Sequence, residues 1–406
     1  MNHDYDILIV GGGMVGASMA CALAPLPLRI GLIEAFPFRS EQQPSYDVRA
    51  IALAQGSQRI IDSMGLWPDM QPGATPILDI HISDRGHFGV TRLNHREEGV
   101  AALGYVVESR FVGQALKRAL DQQPQIEQII PARLTQLQTD SQGAQLTIEQ
   151  NGEQRQLSAR LVIAADGGDS VVRQQLQIDT HKRDYQQTAV ICTVSSEKKH
   201  QHVAYERFTD SGPLALLPLS ENRLSLVYTV KNDQLDTLMA LDDEAFLAQL
   251  QQRFGFRLGR FTRCSARTAY PLALMRIERD IAPSTVFIGN AAHTVHPVAG
   301  QGFNLGIRDV ATLAELIADA VRNQQDIGSD ALLRAYSQWR DRDQRDVARF
   351  TDSLIRIFTN PLGPVEMARS KALGLTNLIP PIKHALARQA MGLRGRLPRL
   401  SRGLPL

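Results

Sequence analysis

Residues 5–16 decide the fold, and they read YDILIV followed by GGGMVG. The first six residues are largely apolar and have the character of a buried strand. Gly11, Gly13 and Gly16 then fall in the spacing G-x-G-x-x-G, and small residues continue to Ala24. A strand, a glycine-rich turn and a helix of small residues, in this order, are typical of a dinucleotide-binding unit.

Each glycine of the motif has a physical role in holding a pyrophosphate. Gly11 permits the tight turn out of the strand, Gly13 lets backbone N–H groups approach the phosphates, and Gly16 lets the helix pack closely on the sheet. The phosphates are then expected at a helix N-terminus, where unpaired N–H groups and the helix dipole favour negative charge. A second apolar strand ends at Glu34. A carboxylate there suits ribose hydroxyls and repels a 2′-phosphate, which favours FAD or NAD over NADP. The alternative is a glycine-rich turn without a ligand.

The composition is that of a globular protein in a reducing compartment. Of 406 residues, 43% are hydrophobic and 21% are charged, which suits a core-forming chain of two domains plus an appendage. The three cysteines are too few and too scattered for a disulfide framework or a metal cluster. The first strand starts so close to Met1 that we expect no signal peptide, and no long apolar run predicts a transmembrane helix. We therefore expect a cytoplasmic protein.

A second strand-to-turn junction lies at Asp166-Gly167. The apolar run 161–163 leads into it, and Ser170 follows as a candidate helix cap. This order places a carboxylate and backbone amides at the carboxyl end of a strand, where α/β proteins bind ligands. A plain strand, turn and helix cap is the alternative.

A third junction lies at residues 285–309. An apolar strand ends at Gly289-Asn290, and a long amphipathic helix that begins near Phe303 follows a glycine-rich loop. Glycines there let the backbone approach a ligand, and the helix N-terminus suits a flat anionic ring system such as reduced flavin. The glycines are Gly300, Gly302 and Gly306.

Two arginines stand beside the starts of predicted helices. Arg49 could neutralise a cofactor phosphate or contact a reduced nicotinamide, and a surface arginine at a loop edge is the alternative. Arg110 points towards the nucleotide if its helix packs on the first sheet. The histidines favour no metal, because their spacing is irregular and no Cys or carboxylate pattern accompanies them. The histidines concerned are His81, His87, His95 and the pair His293 and His296.

Residues 185–230 read as several strands separated by Gly and Pro turns and without helical crossovers, which predicts an antiparallel sheet in a second, lid-like domain. The tail from 383 to 406 is basic and contains no Asp or Glu. We expect a discontinuous nucleotide-binding domain at 1–75, 101–182 and 268–345, a substrate domain at 76–100 and 183–267, and a C-terminal helical, basic segment at 346–406.

The three junctions together resemble the class A flavoprotein aromatic hydroxylases, the family of p-hydroxybenzoate hydroxylase. Within it the chain is similar to the ubiquinone-biosynthesis hydroxylases, through residues 47–53, 206–208 with 212–215, and 300–306. Residues 83–87 and 102–108 most resemble the subgroup that hydroxylates 2-octaprenyl-6-methoxyphenol. One departure is that the family's Gly-Asp is Gly289-Asn290 here. An amide can both donate and accept hydrogen bonds, and Asn also occurs in that subgroup.

The resemblance implies an α/β fold in a two-domain α+β arrangement: a p-hydroxybenzoate-hydroxylase-like, Rossmann-type FAD-binding domain, an antiparallel-sheet substrate domain and a helical C-terminal tail. It implies FAD as cofactor, NAD(P)H as a transient reductant, and transfer of oxygen from O2 to a prenylated phenol through a flavin C4a-hydroperoxide. It also implies 2-octaprenyl-6-methoxy-1,4-benzoquinol as the product. A sister hydroxylase acting at another ring carbon and a flavin-carrying scaffold subunit of a biosynthetic complex remain open alternatives.

The site residues follow from the same resemblance. The oxygen-transfer loop is expected at His296, Pro297, Gly300 and Gln301, and no general base is assigned. FAD is expected to contact Gly11, Gly13, Met14, Gly16, Glu34, Arg49, Arg110, Asp166, Gly167, Gly289, Asn290, Gly302, Phe303 and Asn304. Because a prenylated substrate is insoluble, the apolar and basic tail could lie on the inner face of the cell membrane or dock to subunits of a ubiquinone-biosynthesis complex. A helix closing over the FAD domain is the alternative, and we expect no nucleic-acid partner.

Overall fold

A computed structural model of the chain describes residues 3–38, 50–295, 300–358 and 363–406, and gives the backbone alone at 355 and 363–367. The strands are β1 Tyr5–Val10, β2 Ile30–Ile33, β3 Ala50–Ala54, β4 Ala74–Ile77, β5 Asp79–Asp84, β6 Val90–Asn94, β7 Gly104–Glu108, β8 Ile126–Ile129, β9 Arg133–Asp140, β10 Gly143–Gln150, β11 Glu153–Ala164, β12 Thr180–Ser196, β13 Val203–Thr209, β14 Gly212–Pro218, β15 Arg223–Lys231, β16 Phe261–Cys264, β17 Thr268–Ile277, β18 Ile281–Ala282, β19 Thr285–Phe287 and β20 His293–Thr294. The helices are α1 Met14–Leu23, α2 Gln55–Ser63, α3 Trp67–Met70, α4 Ser109–Asp121, α5 Val171–Gln175, α6 Asn232–Ala240, α7 Asp243–Phe254, α8 Gln301–Arg322, α9 Asp330–Phe358, α10 Gly363–Leu378 and α11 Pro380–Ala390.

The first sheet has a parallel core that begins with the expected nucleotide-binding strand. Its strands run in the order β19, β11, β1, β2, β8, and each neighbouring pair is parallel. Ile7, Leu8 and Ile9 of β1 are fully buried, because both faces of a parallel sheet are covered. The strand, turn and helix predicted from residues 5–16 are thus confirmed. β9 and β10 extend this sheet from β11 as antiparallel strands.

The second sheet contains the strands predicted between 185 and 230. Its order is β20, β17, β12, β15, β14, β13, β5, β6, with β16 also paired to β12. Pairing is antiparallel except between β13 and β5. The sheet extends past the expected domain boundary at 268, since β17 hydrogen-bonds along β12. β12 makes this possible because it is 17 residues long and pairs with three strands.

A small third sheet and the long helices join these two. β3, β7 and β4 form the small sheet. α8 is largely buried, and its apolar residues share one core with β1 and α1. α9 runs unbroken through the expected boundary at 346. Within the described ranges, none of the helices is both long enough and apolar enough to cross a membrane.

The C-terminal segment packs on both sheet regions. Ser370 of α10 accepts a hydrogen bond at Oγ from the Gly89 N–H at 3.1 Å, beside β6. Further along, Ser63 Oγ of α2 donates to the Leu400 carbonyl at 3.0 Å. The tail therefore crosses from the antiparallel sheet back to the parallel one.

Candidate cofactor and active site

The first glycine motif brings two parallel strands and α1 into very close contact. Gly11 has φ +102°, and a Cβ built on it would lie 2.5 Å from the Ala165 carbonyl oxygen. A Cβ on Gly16 would lie 1.8 Å from the Gly11 carbonyl oxygen. Side chains at either position would push the strand end away from the helix start. The roles expected for these two glycines in the turn and in helix packing agree with this geometry.

Glu34 lies at the end of β2, beside the glycine-rich turn. Its Oε2 accepts a hydrogen bond from the Gly12 N–H at 2.6 Å, and its Oε1 accepts one from the Phe36 N–H at 3.0 Å. The side chain is buried. Because each carboxylate oxygen has more than one lone pair, Glu34 keeps capacity to accept a ribose hydroxyl.

Asp166 follows β11, at the same edge of the sheet. Its Oδ2 accepts a hydrogen bond from the Val172 N–H at 3.1 Å, while its buried Oδ1 finds no hydrogen-bond partner among the described residues. Burial raises the pKa of this carboxyl above its ordinary value, against hydrogen bonds from Ser170 and Val172 that lower it. The predicted cap is confirmed, since Ser170 Oγ accepts from the Arg173 N–H at 3.0 Å.

The third junction meets the first motif at Val15. A Cβ on Gly306 of α8 would lie 2.9 Å from Val15 Cγ2 and 3.3 Å from Gly289 Cα. A Cβ on Gly289, which has φ +59°, would lie 3.0 Å from Val15 Cγ1. The fold therefore brings together glycines that are far apart in the sequence. Asn290, next to Gly289, is exposed.

The N-terminus of α8 is held by a side chain that contacts backbone only. Gly300, with φ +62°, caps the helix. Asn304 Nδ2 donates to the carbonyls of Ala52 at 2.7 Å and Gly300 at 2.6 Å, and its Oδ1 accepts from the Ala54 N–H at 2.8 Å. Asn304 was expected to bind FAD, whereas its amide here ties α8 to β3. Beyond the backbone of its own helix turn, no heavy atom of the described residues lies within 4 Å of a Cβ built on Gly302, so these residues leave space at this helix end.

A buried ionic cluster, which was not predicted from the sequence, supports this junction. Asp309 Oδ2 lies 2.6 Å from His293 Nε2 and accepts from the Gly289 N–H at 2.9 Å, while its Oδ1 accepts from Arg340 Nε at 2.7 Å. Burial raises the pKa of Asp309, but the charges of His293 and Arg340 lower it more strongly, so the net pKa is depressed. A charged Arg308-Asp309 pair in the middle of an apolar helix was the available signal.

The other residues expected at the site lie at helix starts or outside the described residues. Arg110, at the start of α4, is largely exposed, and its Nε lies 3.0 Å from Glu108 Oε2. Gln301 is buried at the start of α8, and Phe303 is partly buried. Met14 begins α1 directly after Gly13. Arg49, His296 and Pro297 lie outside the described residues.

The described residues fit FAD by their chemistry. The described residues leave space beside two glycines, since a built Cβ on Gly167 or Gly302 meets none of their atoms within 4 Å beyond the adjoining backbone. Asp166 offers an unpaired acceptor oxygen and Asn290 an exposed amide. Helix starts at α1 and α8 supply N–H groups for anionic parts of a ligand. A dinucleotide with hydroxyls, phosphates and a flat ring needs donors and acceptors of these kinds.

Comparison with known proteins agrees with this chemistry. A family model described as an FAD binding domain matches residues 4–351. The ubiquinone hydroxylase UbiL of Rhodospirillum rubrum is 39% identical, and the match covers 99% of this chain and 93% of that protein. The 3-demethoxyubiquinol 3-hydroxylase of Escherichia coli is 31% identical, over 97% of this chain and 100% of that protein.

A solved structure confirms the fold. p-Nitrophenol 4-monooxygenase PnpA from Pseudomonas putida matches with a TM-score of 0.80 at 17% identity, covering 98% of this chain and 100% of that one. The expected p-hydroxybenzoate-hydroxylase-like architecture is therefore confirmed. The chain belongs to the class A flavoprotein aromatic hydroxylases of ubiquinone biosynthesis, and it is an FAD-dependent aromatic-ring monooxygenase.

Proposed function

We propose that this enzyme hydroxylates a polyprenylated phenol, 2-octaprenyl-6-methoxyphenol, to 2-octaprenyl-6-methoxy-1,4-benzoquinol, with NAD(P)H and O2 as co-substrates. The observation that carries an FAD-dependent reaction is the meeting of Gly289 and Gly306 at Val15, which joins two distant motifs at one place. The choice of substrate rests on the sequence blocks at 83–87 and 102–108. The names of the ubiquinone-pathway relatives support the class of substrate.

The protein's part in this reaction is to bind, orient and stabilise. The glycine turn at 11–16 and Glu34 would hold the adenosine diphosphate end of FAD, and Asp166 would accept a hydrogen bond from the cofactor. When bound, FAD supplies the redox chemistry, taking electrons from NAD(P)H and using O2 to hydroxylate the ring. NAD(P)H would bind transiently on the FAD-binding domain, because only one G-x-G-x-x-G motif occurs in the chain.

The N-terminus of α8 would provide electrostatic stabilisation. Its N–H groups carry a partial positive charge, which stabilises an anionic ring placed against them. None of the described residues fills the space beside Gly302 at this helix end, and Asn304 holds the helix end on β3. Glycine at 302 therefore allows a ring to approach the backbone, whereas a larger side chain would block this approach.

A second candidate is hydroxylation at another carbon of the same type of ring. The Escherichia coli relative is named as a hydroxylase of position 3 of a demethoxyubiquinol, and it aligns over its full length. Both candidates use the same cofactor site. They differ in how the ring is turned towards the reacting centre.

Product analysis separates the two. Purified protein with FAD, NADH or NADPH and detergent-dispersed 2-octaprenyl-6-methoxyphenol is expected to yield the para-benzoquinol, identified by mass spectrometry and NMR. Reactions without NAD(P)H are the control. A different ring position in the product, or turnover only of a demethoxyubiquinol, contradicts the first candidate in favour of the second. Protein that stays colourless after reconstitution with FAD contradicts both.

We also propose that the corner between α10 and α11 lies on an anionic membrane surface, which would bring the enzyme to its insoluble substrate. Large apolar side chains are exposed there, and basic residues are exposed on either side of them. The apolar residues are Leu375, Leu378, Ile379 and Ile382, and the basic ones include Lys371 and Arg388. Docking of a partner subunit of the pathway is the competing explanation.

Sedimentation with phosphatidylglycerol vesicles tests the membrane proposal. The double variant Leu378→Asp with Ile382→Asp is expected to lose most vesicle binding, because two charges replace apolar contacts. Leu404→Asp, which charges an exposed apolar residue near the C-terminus, is the control and is expected to bind as the wild type does. Unchanged recovery of the double variant contradicts the membrane contact.

A further inference from the structure

A pocket lies on the antiparallel sheet, and none of the residues that line it is among those expected to hold FAD. Its volume is about 470 Å³, within the usual range for small-ligand sites. β5 contributes His81 and Ser83, and β13 contributes Tyr205 and Arg207, which pair in register with them. The end of α7 and the turn after it, with Phe256 and Arg257, close one side, and Lys198 closes another.

The antiparallel sheet lies between this pocket and α9. Tyr205 packs on Phe254 of α7, with ring centroids 5.4 Å apart. Phe208, three residues further along β13, stacks on Phe358 of α9 with ring centroids 3.7 Å apart. Since side chains alternate along a strand, these contacts assign α7 and α9 to opposite faces. The pocket is on the α7 face.

The lining of the pocket is cationic, and a nearby acid, Asp84, raises the pKa of Arg207 less than burial and the neighbouring arginines lower it. Lys198, Arg207 and Arg257 line it, and the lining contains no Asp or Glu. Among the described residues, none of the three cations forms an ion pair; Arg207 Nε instead donates to the Arg253 carbonyl at 3.1 Å. Burial, followed by the charges of Arg85 and Arg257, lowers the pKa of Arg207 below its ordinary value. The cations therefore repel one another.

His81 adds a buried polar atom without a partner. Its side chain is only 6% exposed, and no described residue makes a hydrogen bond to its Nε2. Burial and the charges of Arg257, Arg92 and Arg207 lower the pKa of His81 to about 4. A neutral imidazole protonated on Nε2 is a donor, and a buried donor without an acceptor costs free energy. Ser83, also buried, adds a hydroxyl to the same lining.

We propose that this pocket binds the phosphate group of an organic phosphate. Two guanidinium groups, an ammonium, a hydroxyl and an imidazole N–H are the donors that phosphate oxygens take, and their charges offset its charge. The cavity exceeds the size of one phosphate, so it holds a diphosphate or part of a larger molecule. Phe256 is an exposed aromatic ring at the rim. The phosphate comes from a soluble nucleotide or from a phospholipid headgroup.

Calorimetric titration of the full-length, FAD-loaded protein with inorganic pyrophosphate at fixed ionic strength tests this site. The wild type is expected to bind one equivalent saturably. Arg257→Gln is expected to weaken binding about tenfold, the usual effect of losing a charge-assisted hydrogen bond. Arg257 is exposed, so this variant folds, which a thermal melt checks. Arg263→Gln, which removes an exposed charge from β16 on the same domain, is expected to bind as tightly as the wild type.

Two further experiments identify the source of the phosphate. Displacement of pyrophosphate by ADP supports a soluble nucleotide. Sedimentation with phosphatidylglycerol vesicles that Arg257→Gln reduces and Arg263→Gln does not supports a lipid headgroup. Absence of saturable pyrophosphate binding, or equal weakening in both Arg variants, overturns the proposal, because binding would then follow net charge alone. None of these readouts requires hydroxylase activity.

Discussion

His293 Nε2 lies 2.6 Å from Asp309 Oδ2, and both side chains are buried. The same carboxylate receives the Gly289 N–H and the guanidinium of Arg340. One anion therefore joins the strand end at Gly289, the short strand β20 and the two long helices α8 and α9. This arrangement makes Asp309 a positioning residue for the third junction, although it has no predicted contact with FAD.

Replacing Asp309 with Asn is expected to lower the free energy of unfolding by about 3 kcal/mol, at the lower end of the range for breaking a buried ion pair. The loss stays at that end because Arg340 keeps Asp343 as a partner. Urea unfolding followed by circular dichroism measures it. Asp330→Asn is the control, since Asp330 pairs with Arg334 on the surface and should cost about 0.5 kcal/mol or less. Equal losses in the two variants would contradict a special role for the buried cluster.

The depressed pKa of Asp309 also predicts that the protein loses stability at low pH. The pKa of this carboxyl in the folded protein is depressed below the ordinary 3.8, so it contributes stability that is fully present above about that pH and is lost as the pH falls towards the folded pKa. The wild type should therefore lose stability below pH 4 more steeply than Asp309→Asn does. Urea midpoints measured between pH 3 and pH 6 for both proteins test this. Parallel curves would be the contrary result.

Asp166→Asn is expected to have opposite effects on folding and on cofactor binding. The folded pKa of Asp166 is raised, chiefly by burial, above the ordinary 3.8. Such a group stabilises the fold fully below the unfolded pKa, and this contribution is lost as the pH rises through the folded pKa. The amide variant should therefore melt at a higher temperature than the wild type at pH 7 without FAD, and this gain should disappear near pH 4.

The same variant should bind FAD roughly tenfold more weakly, because a hydrogen bond to a charged acceptor is lost. Flavin fluorescence titration of the apoprotein measures the affinity. Asp169→Asn, at an exposed position of the same turn, serves as control for both measurements and should change neither. If the variant is more stable but binds FAD normally, the proposed contact between Asp166 and FAD is contradicted.

Glu34→Gln tests the carboxylate beside the first turn. Both oxygens of Glu34 accept backbone hydrogen bonds, from Gly12 and Phe36. An amide offers one acceptor, so one N–H would face an NH2 group and lose its partner, at a cost of about 1–3 kcal/mol. The expected results are a lower urea midpoint and weaker FAD binding. Glu127→Gln replaces a half-exposed carboxylate on β8 of the same sheet and should leave FAD binding unchanged. An equal loss of FAD affinity in this control would show that any such change in the sheet weakens binding, which would contradict a specific role of Glu34.

Local signals in the sequence were sufficient for the elements and for the glycine junctions. Strand character, glycine spacing and the Ser170 cap are properties of a few neighbouring residues, and they predicted β1, α1 and the start of α5 correctly. Contacts between distant residues were not predictable in this way. Asn304 uses its amide on Ala52 and Ala54, some 250 positions earlier, and no pattern within the motif at 300–306 indicates that partner.

The sheet to which β17 belongs shows the same limit. The sequence of β17 is compatible with a strand, but the sheet that this strand joins depends on the length of β12, along which it pairs. A strand propensity does not specify its partner strand. Likewise, the Arg308-Asp309 pair is visible in the sequence, whereas its partners His293 and Arg340 become neighbours only after α8, α9 and β20 have packed.

Two glycines of α8 should respond differently to the same substitution. A Cβ on Gly306 would lie 2.9 Å from Val15 Cγ2 and 3.3 Å from Gly289 Cα. Gly306→Ala must therefore separate α8 from α1, at a cost of about 1–3 kcal/mol, partly offset by about 1 kcal/mol of helix propensity.

A Cβ on Gly302 meets no described atom within 4 Å, so Gly302→Ala should fold at least as stably as the wild type. Its added methyl group occupies the space in which we expect the ring of FAD, and FAD affinity should fall by tenfold or more. Urea unfolding and flavin titration on both variants give four values. Normal FAD binding by a stable Gly302→Ala protein would contradict a cofactor at the start of α8, whereas an unchanged unfolding free energy for Gly306→Ala would contradict the close packing of α1 on α8.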